Sequence, residues 1–275
     1  MKNVIASIVA VAGLSVAASA ATTVNMLVST NGTDFSNSVN LSANTGLQTV
    51  QVLVSVSTDN AAALGLGSMI FQPTVSNWTA TDALVPFTSA FGSNTSTPSG
   101  AVPDASGQYG RITPFAAVSN TSAQRLFGHV NNNVSGVNYL RIAQAQVTSW
   151  IGGTGNTSGG SGVNIKQLSN IGRTASDPAF NTQLTNVHVF RFAVQIDTSV
   201  ANRSSLTVNA PADGFGNLNT TTGQREVYWY ASLNEASGTI REVPTVVAGI
   251  INIPTPGALA LLGLGGLTVA RRRRA

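Results

Sequence analysis

The chain has 275 residues, enough for one sizeable β domain between two short end segments. Charged residues make up only 9% and cysteine is absent, which excludes disulfide staples, thiol nucleophiles and thiolate metal sites. The formal charge of +4 sits at the ends: without Lys2 and Arg271 to Arg274, nine basic residues face ten acids. What remains is close to neutral and has no basic footprint, so nucleic acid is excluded as a partner.

The N-terminus reads as a secretory signal peptide over residues 1–20, expected to form a helix. Lys2 supplies the positive charge, and Val4 to Ala17 form an apolar core interrupted by Ser7, Gly13 and Ser15. Ala18-Ser19-Ala20 gives the small-residue cleavage pattern, with Ala18 and Ala20 as its recognition positions and Ala21 as the first mature residue. Signal peptidase is the partner this implies.

Strand patterns dominate the next 230 residues. In Gln48 to Ser57, Val50, Val52, Val54 and Val56 alternate with Gln51, Leu53 and Ser55, the period of a pleated strand with one apolar face. In Val187 to Asp197 the sharing face is Phe190, Phe192, Val194 and Ile196, and the same spacing places His188 with them. Shorter candidates are Thr23 to Ser29, Ser68 to Phe71, Leu206 to Ala210, Val227 to Ser232 and Ile240 to Val243, with Val246 to Ile253 as a last strand. Turn-rich stretches at Gly92 to Gly110 and Gly152 to Gly162 separate them, and Ser119 to Val130 reads as a short helix. No fixed-period repeat is present. The expectation is an all-β fold: an antiparallel β-sandwich over residues 21–252, with the jelly roll as a candidate arrangement.

Chemistry-bearing residues are sparse. His129 and His188 stand alone, with no His-x-His or Glu-x-x-His spacing, so no metal site is expected. Glu226, Glu235 and Glu242 bracket the Tyr228-Trp229-Tyr230 strand. Glycoside hydrolysis needs two carboxylates across a cleft, and Glu226 with Glu242 is the pair available if their strands are neighbours. No Gly-x-Ser-x-Gly elbow or phosphate loop occurs, and Asp213 to Asn217 lacks the ligand spacing of a calcium loop. No catalytic residue and no cofactor are assigned. Alternation puts Tyr228 and Tyr230 on one face, where exposed rings would stack on sugars. That makes an extracellular polysaccharide a candidate partner.

The C-terminus closes with Ile253-Pro254-Thr255-Pro256, an uncharged apolar stretch from Gly257 to Ala270, and Arg271, Arg272, Arg273 and Arg274. The prolines hold the motif extended, and the arginines act as a stop-transfer block behind an apolar helix. At about 1.5 Å per residue that helix covers roughly 21 Å, short of a hydrocarbon core of about 30 Å, which fits a transient membrane hold. This arrangement resembles the PEP-CTERM sorting signal of bacterial surface proteins, with Thr255 where the family's motif carries glutamate. The resemblance spans residues 253–275 and implies an exosortase as a further partner, with sorting to the outer surface. It implies nothing about the intervening domain.

Together these readings predict an exported, non-enzymatic protein of the envelope or extracellular matrix, structural or binding in role. The alternatives are a carbohydrate-binding module built on Tyr228 and Tyr230, and a secreted glycoside-processing enzyme built on Glu226 and Glu242.

Overall fold

The computed structural model describes residues 21–43, 45–85, 109–112, 125–134, 137–145, 163–166, 183–210, 226–231 and 240–253. Every element among them is a strand. In chain order they are β1 (Thr22–Ser29), β2 (Ser38–Asn40), β3 (Leu47–Thr58), β4 (Gly65–Phe71), β5 (Thr74–Val75), β6 (Ala83–Leu84), β7 (Gly110–Arg111) and β8 (Arg125–Val134). Then follow β9 (Val137–Ala145), β10 (Val163–Lys166), β11 (Val187–Asp197), β12 (Ser205–Asn209), β13 (Val227–Tyr230), β14 (Ile240–Glu242), β15 (Thr245–Val247) and β16 (Gly249–Asn252).

A front sheet runs β15-β1-β3-β11-β6, with β7 also on β11. Its inner face is the one the valine alternation marks. Val24, Met26 and Val28 pair with Val56, Val54 and Val52, which in turn pair toward Phe190 and Phe192, and all are fully buried. Two back sheets lie across from it: a short one, β10-β4-β13-β14, and a long one, β2-β16-β12-β5-β9-β8. Only Gln72 and Pro73 separate β4 from β5, so the chain passes from one back sheet straight into the other. Proline cannot donate to a ladder, which accounts for the break. Phe71 meets Phe190 edge-on at 6.0 Å between ring centroids, seating the short back sheet on the front one. The buried apolar side chains form a single core cluster.

Four expectations are corrected. The sandwich is mixed rather than antiparallel, because β1 with β15 and β2 with β16 pair in parallel. The expected last strand is two: β15 joins the front sheet and β16 the long back sheet. The crossing needs Gly249, where a Cβ would run into the Met26 carbonyl oxygen and the Val28 side chain. The helix expected over 119–130 is replaced by β8 from Arg125 onward. No helix among the described residues is long and apolar enough to cross a membrane, so the flanking helices and the transmembrane segment are not part of the observed architecture. The segments to which they were assigned, 1–20 and 254–275, lie outside the described residues.

The outer face of the front sheet is covered more than alternation alone predicts. Leu53, Ser55 and Ala193 are buried there. The loop after β1 folds back, with Ser36 bridged to Val28. Arg191 reaches from β11 to the Gly32 carbonyl and to Gln51 Oε1 at 2.5 Å, and lies 4.9 Å from the centroid of the Phe35 ring. Gly32 has a φ of 76° and sits tight against the Gln51 amide, so both its conformation and its space require glycine.

Candidate functional site

The carboxylate pair offered by the sequence sits where β13 and β14 do pair. Val227 is opposite Glu242, so Glu226 is one residue out of register, and pleating sends successive side chains to opposite faces. Both glutamates are buried, at 6% and 9% exposure. They do not face each other across a cleft, which is what glycoside hydrolysis requires.

Glu242 has a different task. Its Oε2 accepts the hydroxyls of Thr22 and Thr58, the latter at 2.8 Å, and its Oε1 accepts the Asn60 amide at 2.7 Å. Trp229 Nε1 donates to Thr22 Oγ1 at 2.8 Å. One carboxylate of the short back sheet therefore ties the start of β1 and the end of β3 to the Trp229 ring. Thr22 and Thr58 are register partners at the inner edge of the front sheet, so the two sheets are stapled where the chain enters the fold. A buried carboxylate with three such donors is satisfied and has no free oxygen for proton transfer to a substrate.

A second staple holds the other end. Arg203 Nη1 and Nη2 donate to Asp82 Oδ2 at 2.5 Å and Oδ1 at 3.0 Å, a two-pronged pair buried to 5% and 0% side-chain exposure. Asp82 also accepts the backbone amides of Thr79 and Asp197, each at 2.8 Å, while Arg203 donates to the carbonyls of Asn77 and Asp197. Fork-on-fork geometry and further hydrogen bonds from both Nη atoms are the conditions under which a buried ion pair is tolerated, although Arg203 Nε is buried without a partner. The sequence reading passed over Asp82, Arg203 and Thr22. The signal available was Thr79-x-x-Asp82, a turn in which a carboxylate caps preceding backbone amides.

The tyrosines do not form a platform. A register irregularity between Tyr228 and Trp229 breaks the expected alternation. Tyr230 is buried at 2% exposure, and that burial raises its pKa above the ordinary phenol value. Tyr228 is half-buried, with the Arg241 guanidinium 5.0 Å from its ring centroid. His188 is exposed and, contrary to the face assigned from spacing, pairs with Ser55; Val189 is an extra residue in the ladder and returns Phe190 to the core. Burial of part of its ring, then the nearby Arg191 charge, lowers its pKa. His129 lies on β8 opposite Arg141. Among the described residues no group of three or more histidines, aspartates and glutamates is placed to hold a metal.

Ala18, Ala20, Pro254, Thr255, Pro256 and Arg271 to Arg274 lie outside the described residues, as does Glu235. Their neighbours do not. Ala21 enters β1 directly, and β16 is followed at once by Ile253, 3% exposed and bonded through its amide to the Ser204 carbonyl at 2.8 Å.

No family model matches the chain, and no curated protein does. Among solved structures, a chain from a type I cohesin–dockerin complex of Clostridium thermocellum aligns at 10% identity and a TM-score of 0.35, over 84% of this chain and 99% of that one. A type III cohesin module from a cell-surface anchoring scaffoldin of Ruminococcus flavefaciens aligns at 10% identity and 0.34, over 86% and 89%. A type I cohesin from Pseudobacteroides cellulosolvens gives 12% and 0.33, over 85% and 93%. Likeness at this level carries no argument about what this chain binds. The titles of two of the matching structures name a dockerin as the partner of those cohesins. The polysaccharide loses its expected platform, because Tyr230 is buried and Arg241 lies over the Tyr228 ring.

Proposed function

We propose that this chain is a non-catalytic β-sandwich module displayed outside the cell, structural or binding in role, and sorted there by a PEP-CTERM-like signal in residues 253–275. The observation that carries the reading is the position of the seam. Among the described residues the last buried one is Ile253, which directly precedes the Pro254-Thr255-Pro256 motif. A tag that must be read separately from its cargo is expected to start where the fold stops. The neutral, cysteine-free composition and the use of Glu242 as a staple support a displayed module rather than a hydrolase.

The test is a transfer experiment in the native host. Residues 253–275 fused to an unrelated exported reporter carry it to the cell surface, and replacing Arg271 to Arg274 by glutamine releases the reporter to the medium. A fusion that is secreted like the untagged reporter overturns the sorting role.

A further inference from the structure

The corner Thr58-Asp59-Asn60 grips the start of the chain at three consecutive positions. Thr58 and Asn60 hold Glu242, which holds Thr22. Asp59 between them is aimed one residue earlier: its Oδ1 accepts the backbone nitrogen of Ala21 at 2.7 Å. Thr22 is fully buried, whereas Ala21 and Asp59 are exposed. The nitrogen that Asp59 meets thus belongs to the exposed residue just before the buried Thr22, and it is the one singled out independently by the Ala18-Ser19-Ala20 cleavage pattern.

We propose that Asp59 is a docking site for the α-ammonium group created when the Ala20–Ala21 bond is hydrolysed, so that removal of residues 1–20 adds an ion pair that locks β1 into the front sheet. The inference rests on the cleavage reading of the N-terminus. In the hydrolysis the water oxygen goes to the Ala20 carbonyl carbon, and both water protons end on the Ala21 nitrogen. An amide with one proton, neutral and able to make one ordinary hydrogen bond, becomes an ammonium with three. Asp59 then accepts a charge-assisted bond in place of a neutral one. Thr22, anchored to Glu242, keeps the ammonium from swinging away, which lowers the ordering cost that makes most surface ion pairs weak. β1 is the strand that gains, being paired with both β3 and β15.

The test uses residues 21–275, with Asp59 or Asp59→Asn, each with its α-amine free or acetylated. Asparagine keeps an acceptor oxygen and removes only the charge, at an exposed position that tolerates it. In the free-amine protein Asp59→Asn is expected to raise the unfolding constant about threefold, the scale of an oriented surface pair; in the acetylated protein the same change leaves it unaltered. Equal effects in both forms, or none in either, overturn the lock. A second readout does not depend on stability: the α-amine of the free protein acylates faster after Asp59→Asn, and an unchanged rate contradicts the pairing. N-terminal sequencing of protein from the native host separates the two layers of the argument. A start other than Ala21 overturns the cleavage reading and the lock's place in the native protein, while the four-way comparison judges the Asp59 contact itself.

Discussion

Asp82 and Glu242, buried carboxylates at opposite ends of the sandwich, solve the same problem differently. Asp82 is matched by a guanidinium that grips both its oxygens, whereas Glu242 is held by hydroxyls and an amide with no cation among its bonds. In a chain with no cysteine, the connections that close the ends of the sheets must come from polar side chains. The difference decides what is left behind when one partner is lost. Removing Asp82 strands a buried positive charge, and removing the Glu242 charge leaves neutral donors that water or each other can satisfy.

That contrast sets the order of effects. Asp82→Ala is expected to destabilise most, by about 3–5 kcal/mol, because Arg203 remains buried without its partner; chemical denaturation measures it, and a loss below about 1 kcal/mol would show that Arg203 escapes to solvent. Glu242→Gln keeps the shape and one acceptor, and a loss of about 1–3 kcal/mol is expected. If Glu242→Gln proves the costlier of the two, the comparison is wrong. The smallest effect concerns His188, at the bulge between these ends. Its lowered pKa means that the folded protein takes up the proton less readily than the unfolded chain. The stability this confers is present above the ordinary histidine pKa of about 6.5 and is lost as pH falls through the folded value. His188→Gln should flatten the stability profile between roughly pH 7 and pH 5, a window above the carboxylate range in which Asp197 titrates. An unchanged profile contradicts the assignment.

The centre of the front sheet was legible in the sequence because a strict period of two over ten residues admits little else. β3 and β11 fall within a residue of the ranges read from Gln48 to Ser57 and Val187 to Asp197. The bulge at Val189 was not legible, since one inserted residue leaves the local pattern apolar on either side. Nor was the β8–β9 hairpin, whose Asn131-Asn132-Asn133 run argues against strand by propensity; pairing along nine register positions overrides it. The split of the last strand depends on a close approach at Gly249 that involves β1, more than 200 residues away in sequence. For the candidate site, the carboxylates were named but not their task, because Thr22, Thr58 and Asn60 join Glu242 only through the tertiary fold.

The most direct test of the central claim is the intact mass of the protein recovered from the surface of its native host. A displayed module with two detachable sorting ends predicts a species that begins at Ala21 and lacks the residues beyond the Pro254-Thr255-Pro256 motif, while retaining Ile253 and the whole sandwich. A mass that still contains Arg271 to Arg274, or the first twenty residues, would contradict it.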